Sequence, residues 1–98
     1  MSSERFVRDL FTRAGVDDLH VGWREVAGAV VLVEMNGAEV FVLDGIEAHI
    51  WKLLSQGCQP ADIRTNLLET YDAPVEQIDV DLFEFLDDLA KRKLIHVG

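Results

Sequence analysis

The side chains of this sequence best suited to act as nucleophile, base or metal ligand are one cysteine and three histidines. Cys58 is the only cysteine, so the chain can form no internal disulfide, and the sequence nominates no base to activate it as a nucleophile. His20, His49 and His96 lie far apart and in different predicted elements, whereas metal ligands usually show close spacing. We therefore expect no metal site and no cofactor.

Carboxylates and glycines form no catalytic pattern either. Asp87 and Asp88 are neighbours on a predicted helix and point to different sides of it, which favours a solvated face over an acid–base pair. Gly28, Gly37 and Gly45 fall singly at predicted turns, so there is no glycine-rich loop for phosphate. The sequence predicts that this protein is not an enzyme.

The net charge of −9 is unevenly distributed. Residues 1–24 hold four acidic and four basic side chains, so residues 25–98 carry the remaining 14 of the 18 acidic and 5 of the 9 basic side chains. Such a surface repels phosphate backbones, so we expect no nucleic-acid partner. Two interpretations of the acidic face stay open: it serves solubility alone, or it steers a cationic peptide.

The sequence contains no segment that predicts membrane insertion or export. The N-terminus is charged and amphipathic and lacks the apolar core of a signal peptide. The longest apolar run, residues 29–33, is far too short to span a bilayer. We expect a cytoplasmic protein that does not contact a membrane.

The first half of the chain predicts a sheet preceded by a helix. Residues 1–19 form an N-terminal helix over Ser3–Ala14 that stops at Gly15, or an arm that orders only on contact with a partner. Residues 20–44 predict a three-stranded antiparallel meander with strands over 21–26, 29–35 and 38–43. The turns between them fall at Ala27-Gly28 and Asn36-Gly37.

The second half, residues 45–98, has helical periodicity. It predicts three helices, over residues 45–55, 60–71 and 75–93, with 77 as the alternative start of the third, and a brief strand over 94–97. No linker or repeat interrupts the chain, so we expect one α+β domain over residues 1–98.

The third helix is more apolar than a single contact with a core requires. Its apolar side chains spread over about 180° of the helix, whereas a stripe of roughly 100° is usual. Leu82 and Leu89 belong to the side that faces the core. The surplus at Phe83, Leu86 and Ala90 either lines a groove for a peptide or is buried on a second side, against the sheet and the N-terminal helix.

Three segments of the chain resemble the PqqD-like family, the relatives of pyrroloquinoline quinone biosynthesis protein D, also called RiPP precursor peptide recognition elements. They are the strand end Phe41-Val42-Leu43-Asp44, the run Ala48-His49-Ile50-Trp51-Lys52-Leu53-Leu54 with Gly57 and Pro60-Ala61-Asp62-Ile63 after it, and the acidic helix from Asp79 to Leu89. The resemblance covers roughly residues 26–96. Asp44 stands where the family usually has Asn, and the predicted helix over residues 3–14 looks longer than in a minimal member.

The resemblance implies a winged helix-turn-helix-like domain that binds no DNA. It implies a peptide-binding chaperone that captures the leader segment of a ribosomally synthesised precursor peptide by strand addition and presents it to a modifying enzyme. The implied docking edge is Glu39, Val40, Phe41, Val42 and Leu43, and the implied helix wall is Leu82, Phe83, Phe85, Leu86 and Leu89. Phe41 and Leu43 share a phase that faces the core, while Val40 and Val42 face the opposite side.

Two other functions fit part of this pattern, one by its architecture and the other by its size and charge. A winged-helix transcription regulator is one alternative, although a third helix rich in Asp and Glu suits DNA poorly. An acidic carrier protein is the other, but the junction Leu43-Asp44-Gly45-Ile46 lacks the serine that a prosthetic arm requires. A free strand edge also invites homodimers.

Overall fold

The computed structural model describes residues 13–36 and 38–97 of the chain. Its strands and helices, in chain order, are β1 (Ala14–Val16), β2 (Val21–Val26), β3 (Ala29–Glu34), β4 (Glu39–Leu43), α1 (Gly45–Ser55), α2 (Pro60–Thr70), α3 (Val75–Lys91) and β5 (Ile95–Val97). This order is the α+β class expected from the sequence, with an antiparallel sheet followed by three helices.

Strands β2, β3 and β4 form a three-stranded antiparallel sheet in sequence order, which confirms the predicted meander. The β2–β3 turn is tight because Val26 pairs with Ala29, and both residues between them have positive φ, 51° at Ala27 and 86° at Gly28. The β3–β4 pairing ends at Glu34 and Glu39. The turn predicted at Asn36-Gly37 includes residue 37, which lies outside the described residues.

One face of this sheet packs on the helices. Val30 and Leu32 of β3 and Leu43 of β4 are buried, and they alternate with residues on the opposite face as the period of a strand requires. Helix α1 covers them with Ile50 and Trp51, both fully buried. The ring of Trp51 also meets the ring of Trp23 edge to face at 6.4 Å between centroids, which fastens β2 to the same helix.

The beginning of the described chain differs from the sequence prediction. The N-terminal helix over Ser3–Ala14 falls almost wholly outside the described residues, but Ala14 does not end a helix and Gly15 does not stop one. Both belong to β1, which pairs antiparallel with β5. A Cβ atom on Gly15 would lie 3.0 Å from Cε1 of His96, so a residue without a side chain suits this pairing. Three residues give no period, and their partner strand lies at the other end of the sequence, so β1 left no local signal.

Candidate functional site

Strand β4 is an edge of the sheet. Within residues 13–36 and 38–97, β3 pairs with one side of β4 and no strand pairs with the other. An edge strand presents unpaired backbone N–H and C=O groups that another chain can extend. This edge coincides with the segment Glu39 to Leu43 that the sequence resemblance indicates.

The hydrogen-bond pattern identifies which groups of β4 point outward. The N–H of Met35 donates to the carbonyl oxygen of His20 at 2.8 Å, which makes this a hydrogen-bonded pair in the register of β2 and β3. Hydrogen-bonded and non-hydrogen-bonded pairs alternate along an antiparallel ladder, so Leu32 directs its groups towards β4, where it faces Phe41.

The same alternation makes the backbone N–H and C=O groups of Val40 and Val42 point away from β3. Both residues are also exposed, at 62% and 66%. Phe41 and Leu43 turn to the other face, where Leu43 is buried and Phe41 packs partly buried against the core. The facing of these four residues agrees with the phase expected from the sequence.

A cavity of about 320 Å³ lies beside this edge, between β4 and α3. Two buried residues of α3, Phe85 and Leu89, contribute its helical wall. The complete lining is Leu32, Val40, Phe41, Val42, Leu43, Glu47, Phe85, Asp88, Leu89, Arg92 and Leu94. An extended chain added to β4 would therefore lie next to a depression with an apolar wall that could accept its inward side chains.

The rim of the cavity carries charges that sequence reasoning did not find. Arg92 lies with its Cζ atom 5.0 Å from the centroid of the Phe41 ring, and its Nε is 3.1 Å from Oδ2 of Asp88. Glu47 of α1 lines the cavity as well. The spacing of Asp88 and Arg92 at i and i+4 predicts an ion pair, but only the position of α3 along β4 brings that pair to Phe41.

Carboxylates concentrate where the cavity continues towards the start of α1. A second cavity, of about 510 Å³, shares Glu47, Phe85 and Asp88 with the first, and Asp44, Asp81 and Glu84 also line it. Partial burial, followed by the charges of Asp44, Asp88 and Asp81, raises the pKa of Glu47 above its ordinary value. This end of the groove carries a negative potential that favours cations over anions.

The structure does not bring every residue of the predicted helix wall to the cavity. Leu82 and Leu86 have no exposed surface, and they support α3 from the core side. Phe83 packs partly buried against the core and lines neither cavity described above. Of the apolar surplus of the third helix, Leu86 is buried, whereas Phe83 and Ala90 are partly buried. The N-terminal helix that the second interpretation also invoked lies outside the described residues.

Two of the histidines each lie beside one other polar side chain. Nδ1 of His20 lies 2.9 Å from Oδ2 of Asp17, and this hydrogen bond is the main reason that the pKa of Asp17 is lowered. Nδ1 of His49 lies 3.2 Å from the hydroxyl of Tyr71. In the part of the chain that the structure describes, no cluster of three or more His, Cys, Asp or Glu side chains is arranged to hold a metal ion, and no helix is long and apolar enough to cross a membrane.

The sequence is similar to one family of known proteins. The family model described as coenzyme PQQ synthesis protein D (PqqD) matches residues 29–95, about two thirds of the chain. No curated protein matches the sequence.

Two solved structures share the fold. The first, TbiB1 in complex with the TbiA(beta) leader peptide, is 28% identical, superposes with a TM-score of 0.79, and the match covers 84% of this chain and 94% of that one. The second, a lasso peptide synthetase B1 complexed with the leader peptide, is 18% identical with a TM-score of 0.76, covers 87% of this chain and 99% of that one, and shows the fold alone.

Proposed function

This chain belongs to the PqqD family, and we propose that it is a non-catalytic protein that binds the leader segment of a ribosomally synthesised precursor peptide and presents it to a modifying enzyme. The observation that carries the proposal is the free edge of β4 beside the cavity formed with α3. The 28% identical neighbour, which is a complex with a leader peptide, supports the same function. The net charge of −9 repels phosphate backbones and argues against a nucleic-acid partner. We further propose that the protein acts in the cytoplasm, where precursor peptides are made.

Backbone pairing supplies the first part of the binding energy. A peptide strand that runs along β4 accepts hydrogen bonds from the N–H groups of Val40 and Val42 and donates to their carbonyl oxygens. Neither residue uses these groups to pair with β3, so the sheet gains a fourth strand without breaking its ladder.

Side-chain pockets supply selectivity. Alternate residues of an added strand point to the same side as Phe41 and Leu43 and enter the cavity, where Phe85 and Leu89 form the wall. We propose these four residues as the apolar contacts. The roles of Leu82 and Leu86 are indirect, because both are fully buried beneath the wall.

A titration of the fluorescently labelled cognate leader tests the proposal. We expect saturable binding with a Kd of tens of micromolar or lower. No saturable binding in that range, or equal binding of a scrambled leader, contradicts the function itself.

Proline substitutions at the two edges of the sheet test the docking mode. We expect Val42→Pro to weaken leader binding at least about tenfold with little loss of stability, because it removes an N–H that points away from β3. Val42→Ala keeps that N–H and serves as the control. Glu25→Pro removes an outward N–H at the opposite edge, on β2, and should leave binding unchanged. Weaker binding in Glu25→Pro than in Val42→Pro would move the peptide to β2.

A further inference from the structure

The face of the sheet that points away from the helices is apolar. Val31 and Val33 of β3 lie on it, in cross-strand register with Val42 and Val40 of β4. Val33, Val40 and Val42 are all exposed. A sheet with one face on the core and the other in water normally alternates apolar and polar residues, so a row of exposed valines indicates a surface that another protein covers.

Among the residues that the structure describes on this face, one is a cation. Arg24 of β2 is in register with Val31, which in turn faces Val42, so the three side chains form one row across the sheet. Arg24 is exposed and forms no ion pair or hydrogen bond with any other described residue. On a chain of net charge −9, an unpaired arginine within an apolar patch suits a partner surface that is apolar and carries a carboxylate.

The apolar face is continuous with the proposed docking edge. A strand added to β4 lies about 4.8 Å from it, and every second side chain of that strand points to the same side as Val40 and Val42. The loaded protein then presents one surface, made partly of its own valines and partly of the outward side chains of the peptide. The unloaded protein presents only the first part.

We propose that the enzyme that acts on the precursor docks on this outer face, with a carboxylate against Arg24, and contacts the outward side chains of the bound leader at the same time. This inference rests on the proposed function and specifies the surface by which the enzyme recognises the protein with its leader bound. Because the enzyme contacts both components, the leader strengthens enzyme binding, and the enzyme strengthens leader binding by the same factor.

Binding of the purified modifying enzyme encoded beside the precursor gene, measured by biolayer interferometry with and without saturating leader, tests this. We expect the loaded protein to bind the enzyme at least about fivefold more tightly than the free protein. Arg24→Glu should lower that affinity at least about tenfold, and Val33→Thr about threefold, while each keeps leader affinity within about twofold of the parent. Arg13→Glu makes the same charge change at an exposed residue beside β1 that forms no ion pair or hydrogen bond with another described side chain, and it should alter neither affinity.

The outcomes separate this inference from the function beneath it. If the parent protein does not bind the leader, the proposed function is wrong. If leader binding is intact but the affinity for the enzyme changes neither with Arg24→Glu nor with added leader, the outer face is not the enzyme's docking site. The proposed function is then unaffected. A dimer in sedimentation that Arg24→Glu dissociates assigns the face to a second copy of the chain and overturns the inference as well.

Discussion

The guanidinium group of Arg92 lies over the ring of Phe41, with its Cζ atom 5.0 Å from the ring centroid. This contact joins the end of α3 to the edge strand and sets one wall of the cavity beside β4. The arginine is held in place by Asp88, one helical turn earlier.

Removal of this wall should weaken peptide binding more than folding. We expect Arg92→Ala to lower leader affinity about three- to tenfold, because the apolar stem of Arg92 no longer lines the cavity and Phe41 loses the contact that positions its ring. The free energy of unfolding should fall by no more than about 1 kcal/mol, as for other exposed ion pairs. Arg64→Ala, which removes a similarly exposed arginine paired with Asp79 away from the cavity, is the matched control. Equal effects on binding in the two variants would remove Arg92 from the site.

Alanine substitutions of Leu86 and Leu89 should distinguish a residue that only stabilises the fold from one that also contacts the peptide. Leu86→Ala should cost about 2–5 kcal/mol of unfolding free energy, because it empties a fully buried position. The fraction that remains folded should bind leader with unchanged affinity. Leu89→Ala should reduce both stability and affinity, since this residue also lines the cavity. Urea denaturation and leader titration at the same temperature measure the two quantities. A selective loss of affinity in Leu86→Ala would place that residue in contact with the peptide.

Glu47 predicts a pH dependence of stability with a definite sign. Its pKa is raised in the folded protein, first by partial burial and then by neighbouring carboxylates, so the folded state holds this proton more tightly than the unfolded state. Ionisation therefore costs stability as pH rises from the ordinary value of 4.5 through the raised pKa, and the cost is constant above it.

Comparison of Glu47→Gln with the parent protein isolates this effect. The variant should gain unfolding free energy relative to the parent between pH 4 and pH 7, by up to about 0.5 kcal/mol for so exposed a position. Glu69→Gln, an exposed residue of α2 outside both cavities, should show a smaller change. If the free energy of unfolding of the parent rises relative to that of Glu47→Gln as pH increases, the pKa of Glu47 is not raised in the folded protein.

The β2–β3 turn offers a stabilising substitution. Ala27 has a φ of 51°, a conformation that an L-residue with a Cβ adopts at a cost and that Asn tolerates. Ala27→Asn should therefore raise the free energy of unfolding by about 0.5–1 kcal/mol, measured by urea denaturation. Ala27→Val, with a β-branched side chain at the same φ, should lower it. The same sign in both variants would show that the turn does not hold this conformation in solution.

Sequence reasoning succeeded where the signal is local. The start of α1 after Asp44 and the tight turn at Ala27-Gly28 both follow from turn residues next to a change of period. The edge segment 39–43 follows from the turn residues on either side of it and from the family resemblance. These features depend on residues that are close together in the chain.

The rest of the site depends on how distant elements meet. Helical periodicity places Leu86 and Phe85 on the same broad apolar face of α3, but only packing decides that one is covered and the other lines a cavity. Arg92 reaches Phe41 because α3 runs beside β4, a relation that no local pattern encodes. Strand β1 pairs with residues at the far end of the chain, and its three residues are too few to show the alternation of a strand.

The pairing of β1 with β5 has a consequence for modular architecture. Ala14 and Val97 are cross-strand partners, so the two ends of the described chain lie side by side. Neither strand lines the cavities beside β4 and α1. Adjacent ends whose strands do not line these cavities are a geometry that tolerates insertion and fusion. We therefore expect that a second domain joined next to β1 or β5 would leave the cavity beside β4 accessible.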